Sequence, residues 1–263
     1  MPGSSVLDTP AVSHVASATL LAVSAVPGRQ PVPFAPDGVT VAFCPAAPLL
    51  VPAVEGAPDA DTAALRRACA DAVAAMLAFG PEVVVVVGAG APAGVRFGDG
   101  DAGDLRGFGV DLELPFTGRV RPGGRRLPLP HLLGAWLLGE AGYAGTRLGT
   151  GPDDAAALVR SLPGAVGVLA VGDGSARRSV KAPGHLDPAA EPFDAVVATA
   201  LAGGDAAALA ALDPDEGQRL LASGVPVWRA VGAALADRPV VARLHAATAP
   251  FGVGYLVADW AAR

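Results

Sequence analysis

Val83 to Val87 is a run of five consecutive valines, and no other stretch limits the possible fold so tightly. β-Branched side chains favour extended backbone, and a run with no polar alternation has to be covered on both faces. The run therefore predicts an inner strand of a sheet held between helices. Two other segments read the same way: Val39 to Cys44, closed by Pro45, Pro48 and Pro52, and Ala165 to Val171. Between the first two runs, Asp61 to Phe79 sets Leu65, Cys69, Val73, Met76 and Leu77 on one helical stripe. Asp59 and Asp61 mark its start and Gly80-Pro81 its end. Strand, helix and strand in this order predict a βαβ unit with a right-handed crossover.

Gly88 to Gly109 reads as a long loop, Val110 to Leu114 as an edge strand, and Arg119, Arg121, Arg125 and Arg126 as a basic turn. Helices are expected at His131 to Leu138 and Asp153 to Leu162. Residues 188–236 form an Ala/Leu helical region broken by Gly203-Gly204, Pro214, Gly224 and Pro226, and final strands are expected at Val240 to His245 and Val253 to Val257. The pattern predicts an α/β fold: a single domain over residues 39–263, with a central, mostly parallel sheet and helices on both faces. Residues 1–38 read as a mobile N-terminal extension. Val15 to Val26 is apolar, but no Lys or Arg precedes it and Asp8 does, so the basic start of a signal peptide is missing. The expectation is a cytoplasmic protein.

Composition narrows the partners. Of the 263 residues, 52% are hydrophobic and 17% charged, enough apolar material for a large core. The net charge of −6 argues against nucleic acid or an anionic membrane, which need clustered cations. Cys44 and Cys69 lack CxxC spacing and read as small buried hydrophobes. Only one of the 19 basic residues is a lysine, Lys181.

Ligands of open α/β sheets collect beyond the carboxyl ends of the strands. Three predicted strand exits are therefore of interest: Cys44 to Pro52, Gly88 to Pro92, and Gly172 to Lys181. Gly88-Ala89-Gly90 supplies two of the three glycines of a dinucleotide fingerprint and no acidic partner follows, so tight-turn glycines are the better reading. The third exit carries Asp173, Ser175, Arg177, Arg178 and Lys181, with His185 and Asp187 close behind. Glycines and a serine beside cations suit a carboxylate or phosphate; a solvated loop paired with Glu191 and Asp194 is the competing reading. Ser175 lacks the G-x-S-x-G frame of an activated serine, because position 177 is arginine. His131 reads as a cap or core residue, and so does His245. His185 has the most polar setting and is the catalytic candidate.

Taken in order, Cys44-Pro-Ala-Ala-Pro-Leu-Leu-Val-Pro52, the valine strand ending Gly88-Ala-Gly90, Val171-Gly-Asp-Gly-Ser-Ala-Arg-Arg178 and Pro250-Phe-Gly-Val-Gly-Tyr255 carry a family likeness. Over residues 39–260 the chain resembles the class III extradiol ring-cleavage dioxygenase (LigB-like) superfamily. Within it, the chain is similar to an actinobacterial branch in which the iron-ligand histidines are missing. The resemblance implies that family's fold and, in active members, a non-haem Fe(II) held by two histidines and a glutamate, with a third histidine as acid/base. Here the first metal histidine is matched by Ala46 and the second by Gly90. The acid/base histidine is matched by Ala176, and the glutamate has no matched position. Alanine and glycine offer no lone pair, so the resemblance implies a scaffold that has lost Fe(II) and ring cleavage.

The expected function is binding of a small anionic or aromatic ligand at the strand exits, by Asp173, Ser175, Arg177, Arg178 and Lys181, with no metal. Two alternatives stand beside it. One is an active Fe(II) dioxygenase with rearranged ligands drawn from His131, His185 or His245 and a carboxylate. The other is a scaffold protein, a homo-oligomer joined through the helices of residues 188–236.

Overall fold

A computed structural model describes residues 38–263, which fall within one compact unit. The reading of an extension over 1–38 concerns residues 1–37, outside the described part.

The three apolar runs become the centre of a seven-stranded sheet. β1 (Val39–Cys44), β2 (Val83–Gly88) and the later strand Val166–Val171 are buried almost throughout. After β1 come a short helix, α1 (Pro52–Glu55), and the long helix α2 (Ala60–Leu77). Asp59 caps α2 by accepting from the Thr62 amide at 2.9 Å. Cys69 and Cys44 are both free and buried; contact with Cys69 and burial push the Cys44 thiol well up.

The segment read as a loop holds two short strands, β3 (Arg96–Phe97) and β4 (Ala102–Asp104). β4 pairs antiparallel with β5 (Glu113–Pro115), so the expected strand at Val110–Leu114 is shorter and begins later. α3 (Leu129–Glu140) follows, then β6 (Thr146–Thr150), a strand the sequence reading did not contain. α4 (Pro152–Ser161) leads into β7 (Val166–Val171). The helical region divides at the expected breakers into α5 (Ala190–Gly203), α6 (Ala206–Ala210), α7 (Pro214–Arg219) and α8 (Val225–Leu235). β8 (Val240–Thr248) and β9 (Tyr255–Ala262) end the chain, both longer than expected.

The strand order is β3-β6-β2-β7-β1-β9-β8. The central pairings β6–β2, β2–β7 and β7–β1 are parallel; β3–β6, β1–β9 and β9–β8 are antiparallel. The expected mostly parallel sheet is thus parallel at its centre and antiparallel at its margins, a mixed sheet as a whole. β1 and β2 do not touch: β7 lies between them, so the first βαβ unit spans a gap.

Helices cover both faces. α2 and α3 pack on one face against Ala42, Val84, Val86 and Leu169. α4, α5, α6 and α8 pack on the other against Val41, Val85, Val168 and Trp260. The chain moves one way across the sheet over the first face, β1 to β2 to β6, and returns over the second, β6 to β7. Reversing both direction and face keeps every crossover of one hand. Phe193, Val197, Leu201, Trp228, Val231 and Leu235 of the helical region are buried on that second face. Among the described residues no helix is long and apolar enough to cross a membrane.

Candidate functional site at the carboxyl edge

Sheet register brings the three exits together. Cys44 lies level with Val171, and Val171 with Gly88, so the turns after β1, β7 and β2 leave side by side. Central β7 delivers Asp173. Its Oδ1 accepts from the Ala46 amide at 2.8 Å, its own amide donates to Ser223 Oγ at 3.1 Å, and its carbonyl accepts from the Gly224 amide at 2.7 Å. The carboxyl is thereby tied to the turn after β1 and to the start of α8. The approach depends on Gly172, where a Cβ would come within 2.5 Å of Gly224 Cα.

Little water reaches the Asp173 carboxyl, and burial pushes its pKa up to about 7; the Ala46 amide opposes that only in part. Tyr255, the first residue of β9, faces the same charge. Burial, and then the Asp173 carboxylate, raise its phenol to about 12. The edge therefore offers one carboxyl able to gain or lose a proton near neutrality, and one phenol that stays protonated. Tyr255 ends one of the motifs that carry the family likeness but is not among the expected site residues, and Ser223 carries no signal; what brings them to Asp173 is the antiparallel return of β9 and the turn before α8, both distant in sequence.

The other residues of the third exit have different settings. Ser175 is fully buried: its hydroxyl donates to the Leu220 carbonyl at 2.9 Å and accepts from the Arg177 amide at 3.1 Å. It fastens the loop and does not lie at a rim. Arg178 donates to Asp194 Oδ2 at 3.0 Å and sits 3.4 Å from Glu191. Asp194, only 3% exposed, also accepts from the Ser175 amide at 2.8 Å. Burial raises its carboxyl, and the Ser175 amide and Arg178 oppose the rise. Arg178 faces a cleft of about 290 Å³ whose walls include Glu191, Asp194 and Thr248. With two acids against one cation, this cleft is poorly suited to an anion.

Arg177 is partly buried, with its Nε sealed from solvent and unpartnered among the described residues. Lys181 is exposed and forms no ion pair with a described residue; Glu191, its expected partner, faces Arg178 instead. His185 is exposed, with its backbone at φ 59°, and Asp187 pairs with Arg219 at 2.5 Å. The loop thus supplies a buried ion pair at Arg178, an outer one at Asp187 and two outward groups, Lys181 and His185, while the Asp173 carboxyl is tied to the turn after β1.

The remaining histidines lie elsewhere. His131 is completely buried at the start of α3, beside the exits of β2 and β6. Its Nε2 donates to the Thr150 carbonyl at 2.9 Å, its ring meets Phe97 edge to face, and its Nδ1 has no partner among the described residues. Burial lowers its pKa to about 4, so it stays neutral, as its reading as a core residue implies. His245 lies on β8 and pairs with Asp259 of β9 at 2.9 Å.

These side chains do not fit an iron site. Ala46 contributes a methyl group and its amide is already bonded to Asp173; Gly90 and Ala176 contribute no donor side chain. Among the described residues, no group of three or more His, Cys, Asp or Glu side chains could hold a metal ion. The carboxyl edge can bind and exchange a proton through Asp173.

No protein-family model matches this chain, and no curated protein matches it.

Proposed function

We propose that the protein is a metal-free relative of the class III extradiol dioxygenases that binds a small hydroxylated aromatic molecule at the carboxyl edge of its sheet. The observation that carries this reading is the Asp173 carboxyl, fixed by the Ala46 amide at the exit of the central strand with its pKa up to about 7. A carboxyl poised in this way can accept a hydrogen bond from a phenolic hydroxyl when ionised, and donate one when protonated. The Tyr255 phenol offers a second polar contact nearby. Three aligned exits in the family's order support the scaffold, and Ala46, Gly90 and Ala176 support the loss of Fe(II) and ring cleavage. The free buried cysteines are in keeping with a cytoplasmic protein.

Calorimetric titration of the purified protein with 4-methylcatechol tests the reading. Saturable binding is expected, at least tenfold weaker in Asp173→Ala and unchanged in Lys181→Ala. With Fe(II) supplied and oxygen admitted, no ring-opened product should form. Stoichiometric iron with ring cleavage, or binding indifferent to Asp173, would overturn it.

A further inference from the structure

We propose that the cleft between α2 and β8 is a second, separate binding site, taking a small primary alkylammonium compound whose N–H is received by His245. The cleft has a volume of about 620 Å³, enough for a small organic molecule. Ala64, Leu65 and Ala68 of α2 form one wall and Ala246 to Pro250 the other; among the described residues, its ionisable groups are Asp61 and His245.

A bulge in β8 places the histidine. Leu244 lies opposite Ala258 and Ala246 opposite Val257, so His245 is the extra residue between two neighbouring positions of β9. Bulges of this kind re-aim a side chain and recur next to functional sites. His245 thereby reaches Asp259 on the adjacent strand, Nε2 to Oδ1 at 2.9 Å, with the imidazole only 5% and the carboxylate 18% exposed. A carboxylate accepts, so Nε2 carries a proton, and in the neutral imidazole Nδ1 presents its lone pair. Among the described residues, the buried side-chain nitrogens and oxygens without a partner are His131 Nδ1, Thr150 Oγ1 and Arg177 Nε. Nδ1 of His245 has no described hydrogen bond and is not among these sealed atoms, and its residue lines the cleft. The neutral ring is an acceptor held in one tautomer within the lining of the cleft.

The charges select the ligand. Among the described residues of the lining, Asp61 is the one carboxylate, and no arginine or lysine joins it. Arg243 lies two residues back along β8, outside the lining. The positive end of α2 would otherwise favour an anion, but Asp59 caps that end and Asp61 sits in its first turn. An acceptor nitrogen and a carboxylate against alanine and leucine walls match an ammonium group on a short alkyl chain.

The test is a titration of the full-length ¹⁵N-labelled protein with n-butylammonium chloride, read from the imidazole ¹⁵N resonances, with n-butanol and sodium butyrate as neutral and anionic probes. n-Butylammonium should shift the His245 Nδ1 resonance saturably, and butyrate should not. His245→Gln should abolish binding, judged from the backbone amide shifts around Ala246. Asp61→Asn, an exposed change that spares the fold, should weaken binding at least tenfold. Asp173→Asn should leave it unaltered, which separates this site from the carboxyl edge. An unmoved His245 resonance, an equal response to butyrate, or indifference to Asp61→Asn would each overturn the proposal.

Discussion

Asp173 holds its proton up to about pH 7 because burial disfavours its charge more than one amide hydrogen bond can restore. An unfolded aspartate releases its proton near pH 4. Between those values the folded chain binds a proton that the unfolded chain has released, so stability falls as pH rises through the window. Above about pH 7 the folded protein carries an ionised carboxylate at a cost of about 1–4 kcal/mol. Asp173→Asn keeps an acceptor for the Ala46 amide and removes that charge. In urea unfolding, the stability of the variant relative to the parent should therefore rise from pH 5 to pH 8 by about 1–3 kcal/mol. A pH-independent difference would place the carboxyl in water. Asp173 could be found in the sequence because it follows a buried strand directly. Ser175, Arg177 and Arg178 share its segment yet have other tasks, since the turn before α8 and the buried Asp194 determine where they face. Asp194 was legible as a partner of the loop's charges, but its burial was not: an aspartate amid the apolar residues of α5 reads as a solvated partner, and it is 3% exposed.

At the scale of elements, what was legible follows from side-chain chemistry. β1, β2 and β7 are uniform apolar runs, and inner strands have few alternatives. β6, with the sequence Thr-Arg-Leu-Gly-Thr, has no apolar run and no clean alternation; it forms because β2 offers a paired edge. β8 and β9 extend past their expected ends through Ala246, Ala247, Ala258 and Ala262, alanines that favour helix locally but are held extended by ladder pairing. α3 gives a direct check on how tightly the elements meet. A Cβ at Gly134 would lie 2.5 Å from Val86 Cγ1 on β2, whereas one at Gly139 would meet nothing within 4 Å. Gly134→Ala should therefore destabilise the protein by about 1–3 kcal/mol through overpacking. Gly139→Ala should stabilise it by up to about 1 kcal/mol through helix propensity. Thermal melts of both variants supply the comparison, and equal shifts would mean that α3 stands off the sheet.

At the scale of the molecule, Asp194 joins parts that are far apart in sequence. From α5 it reaches the loop after β7 through the Ser175 amide and Arg178, and it lies close to Gly174 and Gly254; Gly254, just before β9, is joined to Gly174 and to Ser175 by backbone hydrogen bonds. Removing it leaves Arg178 half-buried and facing only Glu191. Asp194→Ala should cost about 3–5 kcal/mol, the usual penalty for breaking a buried pair. Hydrogen exchange should quicken at Gly174, Ser175 and Gly254 before it quickens in the β1–β7 ladder; uniform loosening would show that the clamp is not local. The general architecture could be read because alternating buried strands and helices leave few arrangements. Strand order could not, since nothing in β1 or β2 says that their common neighbour comes later.

That order also has consequences during synthesis. β1 and β2 emerge early and both require β7 between them, yet β7 begins only at Val166. Until then the nascent chain holds two of its most apolar strands with their inner edges bare, and an unpaired edge recruits other chains. α2 can cover one face of these strands but cannot fill the gap between them. The central sheet therefore closes late, when β7 enters a slot already framed on both sides, and a ribosome-bound intermediate ending before Val166 is a natural client for a chaperone that binds extended apolar segments.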